Sequence, residues 1–116
     1  MTIKRLNAGP RMSQAVIHNG VVYLAGQVAK DADKDVAEQT RQVLAAIDSL
    51  LAEAGSDKSR MLSATIYLAD MADFGTMNGL WDAWVVGGST PARATVQASL
   101  ATPKYKVEIM VTAAVG

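Results

Sequence analysis

Apolar positions recur along this chain with two periods, one near two residues and one near 3.6, and the switches between them mark the elements. Residues 13–28 read as two strands, Gln14–His18 and Val21–Ala25. They are joined by Asn19-Gly20, a pair that tolerates the positive φ of a two-residue hairpin. Ile3–Leu6 adds a candidate edge strand. From Asp35 to Ala54 the period changes: Val36, Thr40, Val43, Leu44, Ile47, Leu50, Leu51 and Ala54 fall on one helical stripe. Asp35 with Glu38 forms a capping box at its start, and Gly55 stands where a left-handed terminator belongs. Met61–Ala69 alternates again, with Leu62, Ala64, Ile66 and Leu68 on one side. Asp70 caps a second helix whose stripe is Phe74, Met77, Trp81, Trp84 and Val85, stopped by Gly87-Gly88. Pro91 precedes a strand over Ala92–Leu100, and residues 101–104 turn the chain into a last strand, Tyr105–Ala114. The order β-ββ-α-β-α-ββ predicts a mixed α/β (α+β) sheet with both helices on one face. No repeat or linker divides the chain, so residues 1–116 read as one domain.

The last two strands carry the candidate chemistry. Arg93, Thr95, Gln97 and Ser99 share one side of their strand, and Ala92, Ala94, Val96, Ala98 and Leu100 the other. The apolar side is expected to meet the helices, which leaves the polar side uncovered. A guanidinium on such a wall suits bidentate recognition of a carboxylate. A surface or interface salt bridge would use the same residue. Glu108 faces with Lys106, Met110 and Thr112. It could position water or exchange protons, or simply pair with Lys106. If Leu100 pairs with Tyr105 in a hairpin, Arg93 lies opposite Thr112 and Glu108 opposite Gln97, about 13 Å apart along the strands. A bridging substrate or a subunit boundary would then have to join them. Trp81 and Trp84 read as core or interface packing, and His18 as a residue flanking a turn.

Composition removes several classes. Lys plus Arg and Asp plus Glu are 11 each, so the net charge is zero and no basic surface announces a nucleic-acid partner. There is no cysteine and one histidine, which excludes disulfides, thiol catalysis, His-based triads and multi-His metal sites within one chain. No cofactor or metal is expected. No apolar run is long enough for a membrane span, and the N-terminus lacks a signal-peptide pattern, so the expectation is a cytoplasmic protein.

Several segments, in order, resemble the Rid family, the reactive intermediate deaminases also called YjgF or L-PSP. They are Gly20-Val21-Val22-Tyr23-Leu24-Ala25-Gly26-Gln27, Glu38-Gln39-Thr40, Met77-Asn78, Pro91-Ala92-Arg93-Ala94-Thr95-Val96 and Lys106-Val107-Glu108-Ile109. Trp81-Asp82-Ala83-Trp84-Val85 and Pro103-Lys104-Tyr105-Lys106 resemble its YoaB-like branch. The resemblance implies a chorismate-mutase-like (YjgF) fold and a homotrimer with clefts between subunits. It implies hydrolysis of enamines and imines, such as 2-aminoacrylate and 2-iminobutyrate, to 2-keto acids and ammonia. By the same resemblance Arg93 pairs with the substrate carboxylate and Glu108 holds or activates water. Ala25, Gly26, Asn78, Thr95 and Met12 line the cleft. Thr95, Ala25 and Met12 stand where that family commonly has cysteine, serine and tyrosine. Two other readings accompany it: a non-catalytic module binding 2-keto acids, and a ribonuclease or translation inhibitor, which the charge balance disfavours.

Overall fold

The long apolar stripe folds as helix α1 (Val36–Glu53), and its start is the one the capping pattern predicts: the Asp35 side chain accepts from the Glu38 amide at 2.9 Å. The structure, a computed structural model, describes residues 2–116. The strands are β1 (Lys4–Ala8), β2 (Ser13–His18), β3 (Val21–Leu24), β4 (Gln27–Val28), β5 (Met61–Leu68), β6 (Ala92–Gln97) and β7 (Val107–Ala114). Asn19 and Gly20, at φ 52° and 74°, close the β2–β3 hairpin. Asp70 caps a short 3-10 turn, Met71–Asp73, and the second helix α2 (Phe74–Trp84) follows it directly.

All these strands form one mixed sheet in the order β1-β2-β3-β7-β5-β6, with β4 also on β7. One face is covered. Ala15, Val22, Leu24, Ala64, Ile66, Leu68, Val107, Ile109, Val111 and Ala113 are buried there against Val43, Ile47 and Leu51 of α1 and Met77 and Trp81 of α2. The mixed sheet with two helices on one face is therefore as the patterning predicts. The other face is open and apolar in places: Tyr23, Val96 and Met110 are each 41–50% exposed. Among the described residues no helix is long and apolar enough to cross a membrane.

Two expectations are corrected. Leu62 does not join the buried side of β5. A bulge between Met61 and Ser63 makes Leu62 the extra residue, so Met61 is buried and Leu62 stands 48% exposed. The larger correction concerns the final hairpin: β6 and β7 do not pair. β6 runs parallel to β5 (Ala64↔Arg93, Leu68↔Gln97), and β7 lies antiparallel on the far side of β5 (Tyr67↔Glu108). The helical crossover through α2 delivers β6 beside β5, as a βαβ connection does. The 98–106 segment then passes the end of β5 instead of turning tightly.

Gln39, read only as part of a motif, turns out to be a buried junction. Its amide nitrogen donates to the carbonyls of Ala32, Lys34 and Lys104, and its oxygen accepts from the Lys106 amide. It thereby fastens the loop before α1 to the loop entering β7. At the surface the same loops are joined by Lys104 and Asp33 at 2.8 Å, a hydrogen bond that holds the Asp33 carboxyl below its ordinary value. Replacing Gln39 by Leu removes the partner of the Lys106 amide and of three carbonyls in part-buried positions. We expect Gln39→Leu to lose about 2–4 kcal/mol in urea unfolding, whereas a loss under about 1 kcal/mol would show that water or loop movement satisfies those groups.

Candidate active site

The parallel pairing of β6 decides which way Arg93 points. Residues directly opposed in neighbouring strands lie on one face, so Arg93, Thr95 and Gln97 share the face of Ala64, Ile66 and Leu68. That is the helix side. Ala92, Ala94 and Val96 take the open face and are exposed. The sequence expectation, with the apolar side of this strand toward the helices, is thus reversed. The reason is the partner: Arg93 meets two aromatic rings of α2, and Gln97 accepts from the Met71 amide just before that helix. The Arg93 guanidinium carbon lies 5.4 Å from the Trp81 ring centre and 6.0 Å from that of Phe74.

Asn78 sits on the same stripe of α2, four residues after Phe74 and three before Trp81. Thr95 follows Arg93 by one pleat, about 7 Å along the same face. Asn78 Oδ1 and Thr95 Oγ1 are both buried without a hydrogen-bond partner. Arg93 itself makes no ion pair or hydrogen bond with any described residue. The β6–α2 edge therefore presents a half-buried cation and two buried polar atoms with unused hydrogen-bonding capacity, which a polar ligand can engage. Arg93 and Thr95 share the helix-side face of β6, and Asn78 lies on α2 between the two residues whose rings flank Arg93.

The remaining candidates gather elsewhere. Glu108 lies on the open face, on the other side of the sheet from Arg93 and three rows away along β5. The two backbones are about 10 Å apart along the strands and about 10 Å across them. Glu108 pairs in register with Val28 of β4, and its side chain packs onto Gly26. A Cβ on Gly26 would come within 2.9 Å of Glu108 Cδ and overlap its carboxylate. Gly26 is thus a glycine of close approach, leaving room for the carboxylate. The Lys106 pairing does not form, and Glu108 makes no ion pair among the described residues. Ala25 precedes Gly26 and donates its amide to the Gln14 carbonyl at 2.9 Å. Met12, 49% exposed, lies in the β1–β2 turn at that same end of β2.

The candidate residues thus divide into an Arg93 wall (Arg93, Thr95, Asn78) and a Glu108 wall (Glu108, Gly26, Ala25, with Met12 beside them). Within one chain the two walls face away from each other. What sequence reasoning missed is the aromatic pair around Arg93. The shared stripe of Phe74 and Trp81 was visible, but which strand it faces depends on the crossover. Among the described residues no group of three His, Cys, Asp or Glu side chains could hold a metal.

Gly26→Ala offers a direct check on the second wall. The methyl meets a flexible side-chain end, not backbone, so the fold should keep its stability to within about 1 kcal/mol. The carboxylate must move. We expect a thermal midpoint close to that of the unmodified protein together with a loss of any Glu108-dependent activity; unchanged activity would show that the carboxylate position is immaterial.

A family model described as endoribonuclease L-PSP matches residues 2–115. The chain is 55% identical over 115 residues to the RutC family protein YoaB of Escherichia coli, covering 99% of this chain and 100% of that one. A crystal structure of a YjgF protein family member from Neisseria meningitidis superposes with a TM-score of 0.96 at 52% identity, covering 100% of this chain and 97% of the other. At greater distance, the 2-iminobutanoate/2-iminopropanoate deaminase of Mus musculus is 36% identical over 110 residues, covering 90% of this chain and 81% of that protein.

Proposed function

The chain belongs to the endoribonuclease L-PSP family, the Rid or YjgF proteins, in its YoaB-like branch, and from that premise we propose that it hydrolyses 2-imino and 2-enamino acids to 2-keto acids and ammonia. The observation that carries this reading is Arg93 on the helix-side face of β6: a guanidinium without an ion pair among the described residues, on the same face as Thr95, whose Oγ1, like Asn78 Oδ1 of α2, is buried and unpartnered among those residues. The name of the mouse relative supplies the reaction class. A planar guanidinium engages a planar carboxylate with two parallel hydrogen bonds. This fixes the adjacent C=N carbon in place and draws electron density from it. Glu108 orients a water toward that carbon and accepts its proton. An enamine first takes a proton at C3 from solvent and loses one from nitrogen to become the imine. Glu108 then returns the water proton to nitrogen to give the carbinolamine, and transfer of the hydroxyl proton to nitrogen breaks the C–N bond, so that ammonia leaves as the carbonyl forms. Orientation and proton transfer are sufficient for so reactive a substrate.

For this to happen Arg93 and Glu108 must face one another, which the opposed walls forbid within a chain. In this reading the protein is a homotrimer, each cleft taking its Arg93 wall from one subunit and its Glu108 wall from the next. The open sheet face with Tyr23, Val96 and Met110 supplies the apolar contact surface. A heterologous contact of this kind closes into a ring. The test is keto-acid release from 2-iminobutanoate and 2-aminoacrylate generated in situ. Acceleration above the spontaneous rate supports deamination. A trimer that binds 2-oxobutanoate without accelerating either reaction would instead be a carboxylate-binding module.

A further inference from the structure

An acidic neighbour orients an arginine side chain but also occupies part of its hydrogen-bonding capacity. Arg93 has no such neighbour among the described residues. What it has is two ring faces, Trp81 at 5.4 Å and Phe74 at 6.0 Å from the guanidinium carbon. An aromatic face attracts a cation through its quadrupole and leaves the in-plane N–H groups unused. Behind this clamp the Trp81 ring is itself fixed. Trp81 is 5% exposed and packs on Trp84 with centroids 5.4 Å apart, and the Trp84 indole N–H donates to Asp48 of α1 at 2.9 Å. The support for Arg93 therefore runs from α1 through two indoles to the edge strand, without a compensating negative charge.

We infer that Phe74 and Trp81 are positioning residues for Arg93, holding its guanidinium between ring faces so that its N–H edge stays free and pre-oriented for the substrate carboxylate. The inference rests on the deaminase reading and adds to it the means by which the anion grip is held. An acidic partner would compete with the substrate for the same N–H groups; a stacked ring does not. Removing either ring face releases the long side chain to other rotamers, and the cost falls on carboxylate capture, not on the chemical step.

The experiment compares Phe74→Leu, Trp81→Leu and Trp81→Phe with the unmodified trimer. It reads the dissociation constant of 2-oxobutanoate by calorimetry and KM and kcat for 2-iminobutanoate, with thermal midpoints recorded alongside. Loss of one cation–π contact should weaken 2-oxobutanoate binding and raise KM about 2- to 30-fold in both leucine variants. The value of kcat should stay within about 2-fold, and Trp81→Phe should retain most of the affinity. Phe74 is 36% exposed, so Phe74→Leu folds even if Trp81→Leu does not and decides the question alone. Wild-type affinity in a folded Phe74→Leu protein would overturn the inference. So would equal losses in Trp81→Phe and Trp81→Leu, or a fall in kcat with KM unchanged. An unmodified trimer that neither binds 2-oxobutanoate nor accelerates imine hydrolysis removes the deaminase reading itself, and this inference with it.

Discussion

Arg93→Ala is expected to lower kcat/KM for 2-iminobutanoate by about 100-fold or more while leaving the fold in place. Truncating one partner of a desolvated, hydrogen-bonded charge pair costs roughly 2–5 kcal/mol, or about 30- to several-thousand-fold. Here that pair forms only when substrate binds, because Arg93 has no carboxylate partner of its own among the described residues. Its removal therefore orphans no acid in the resting protein, and the thermal midpoint should move by only a few degrees. This separation is what makes the result interpretable. Arg93→Lys keeps the charge but loses the planar fork, so it should recover a small part of the lost activity. Initial rates of keto-acid release, corrected for spontaneous hydrolysis, measure all three proteins. An Arg93→Ala protein within about 3-fold of the unmodified one would move the carboxylate site away from β6.

Mixing two inactive variants should restore activity. In each chain Arg93 lies on the helix side of the sheet and Glu108 on the open side, several rows apart, so the proposed trimer would draw each cleft from two subunits. On that proposal, Arg93→Ala and Glu108→Ala assemblies both lack complete sites. After unfolding and refolding together at equal concentration, a cleft is intact whenever an Arg93-bearing chain precedes a Glu108-bearing chain around the ring. Random assembly makes this about one cleft in four. About a quarter of wild-type activity is therefore expected from two proteins that are each nearly inactive, measured with the same assay. Activity that stays at the level of the separate variants would place both groups in one chain's site, and the opposed walls would then need a rearrangement to meet.

The elements that were legible in the sequence are those specified by local chemistry. Asp35, Glu38 and the α1 stripe set the long helix to within a residue of Val36–Glu53, and Asn19-Gly20 set the first hairpin. The alternation of β7 told correctly that Glu108 shares a face with Met110 and Thr112. The candidate residues could also be named, because Pro91-Ala92-Arg93 and Val107-Glu108-Ile109 carry the family resemblance by themselves. Leu62 was misplaced because a bulge adds one residue without changing the sequence alternation. Gln39 passed unread because its partners at Lys104 and Lys106 lie far along the chain.

The side of the sheet that Arg93 occupies was decided elsewhere. Alternation along a strand divides residues into two sets, but it does not say which set faces the helices; register against a neighbour does. That neighbour is β5, reached through the α2 crossover, and it places the polar set of β6 against the aromatic stripe of α2 and the alanines in the open. Local pattern therefore specifies the elements, their caps and the two charged residues on strands, since these depend on contacts within a few positions. Tertiary packing separated those residues onto opposite faces, left each without an ion-pair partner among the described residues and set Arg93 against two rings. The physical reason is that strand order and register are settled by the burial of the whole core, not by any segment's own pattern.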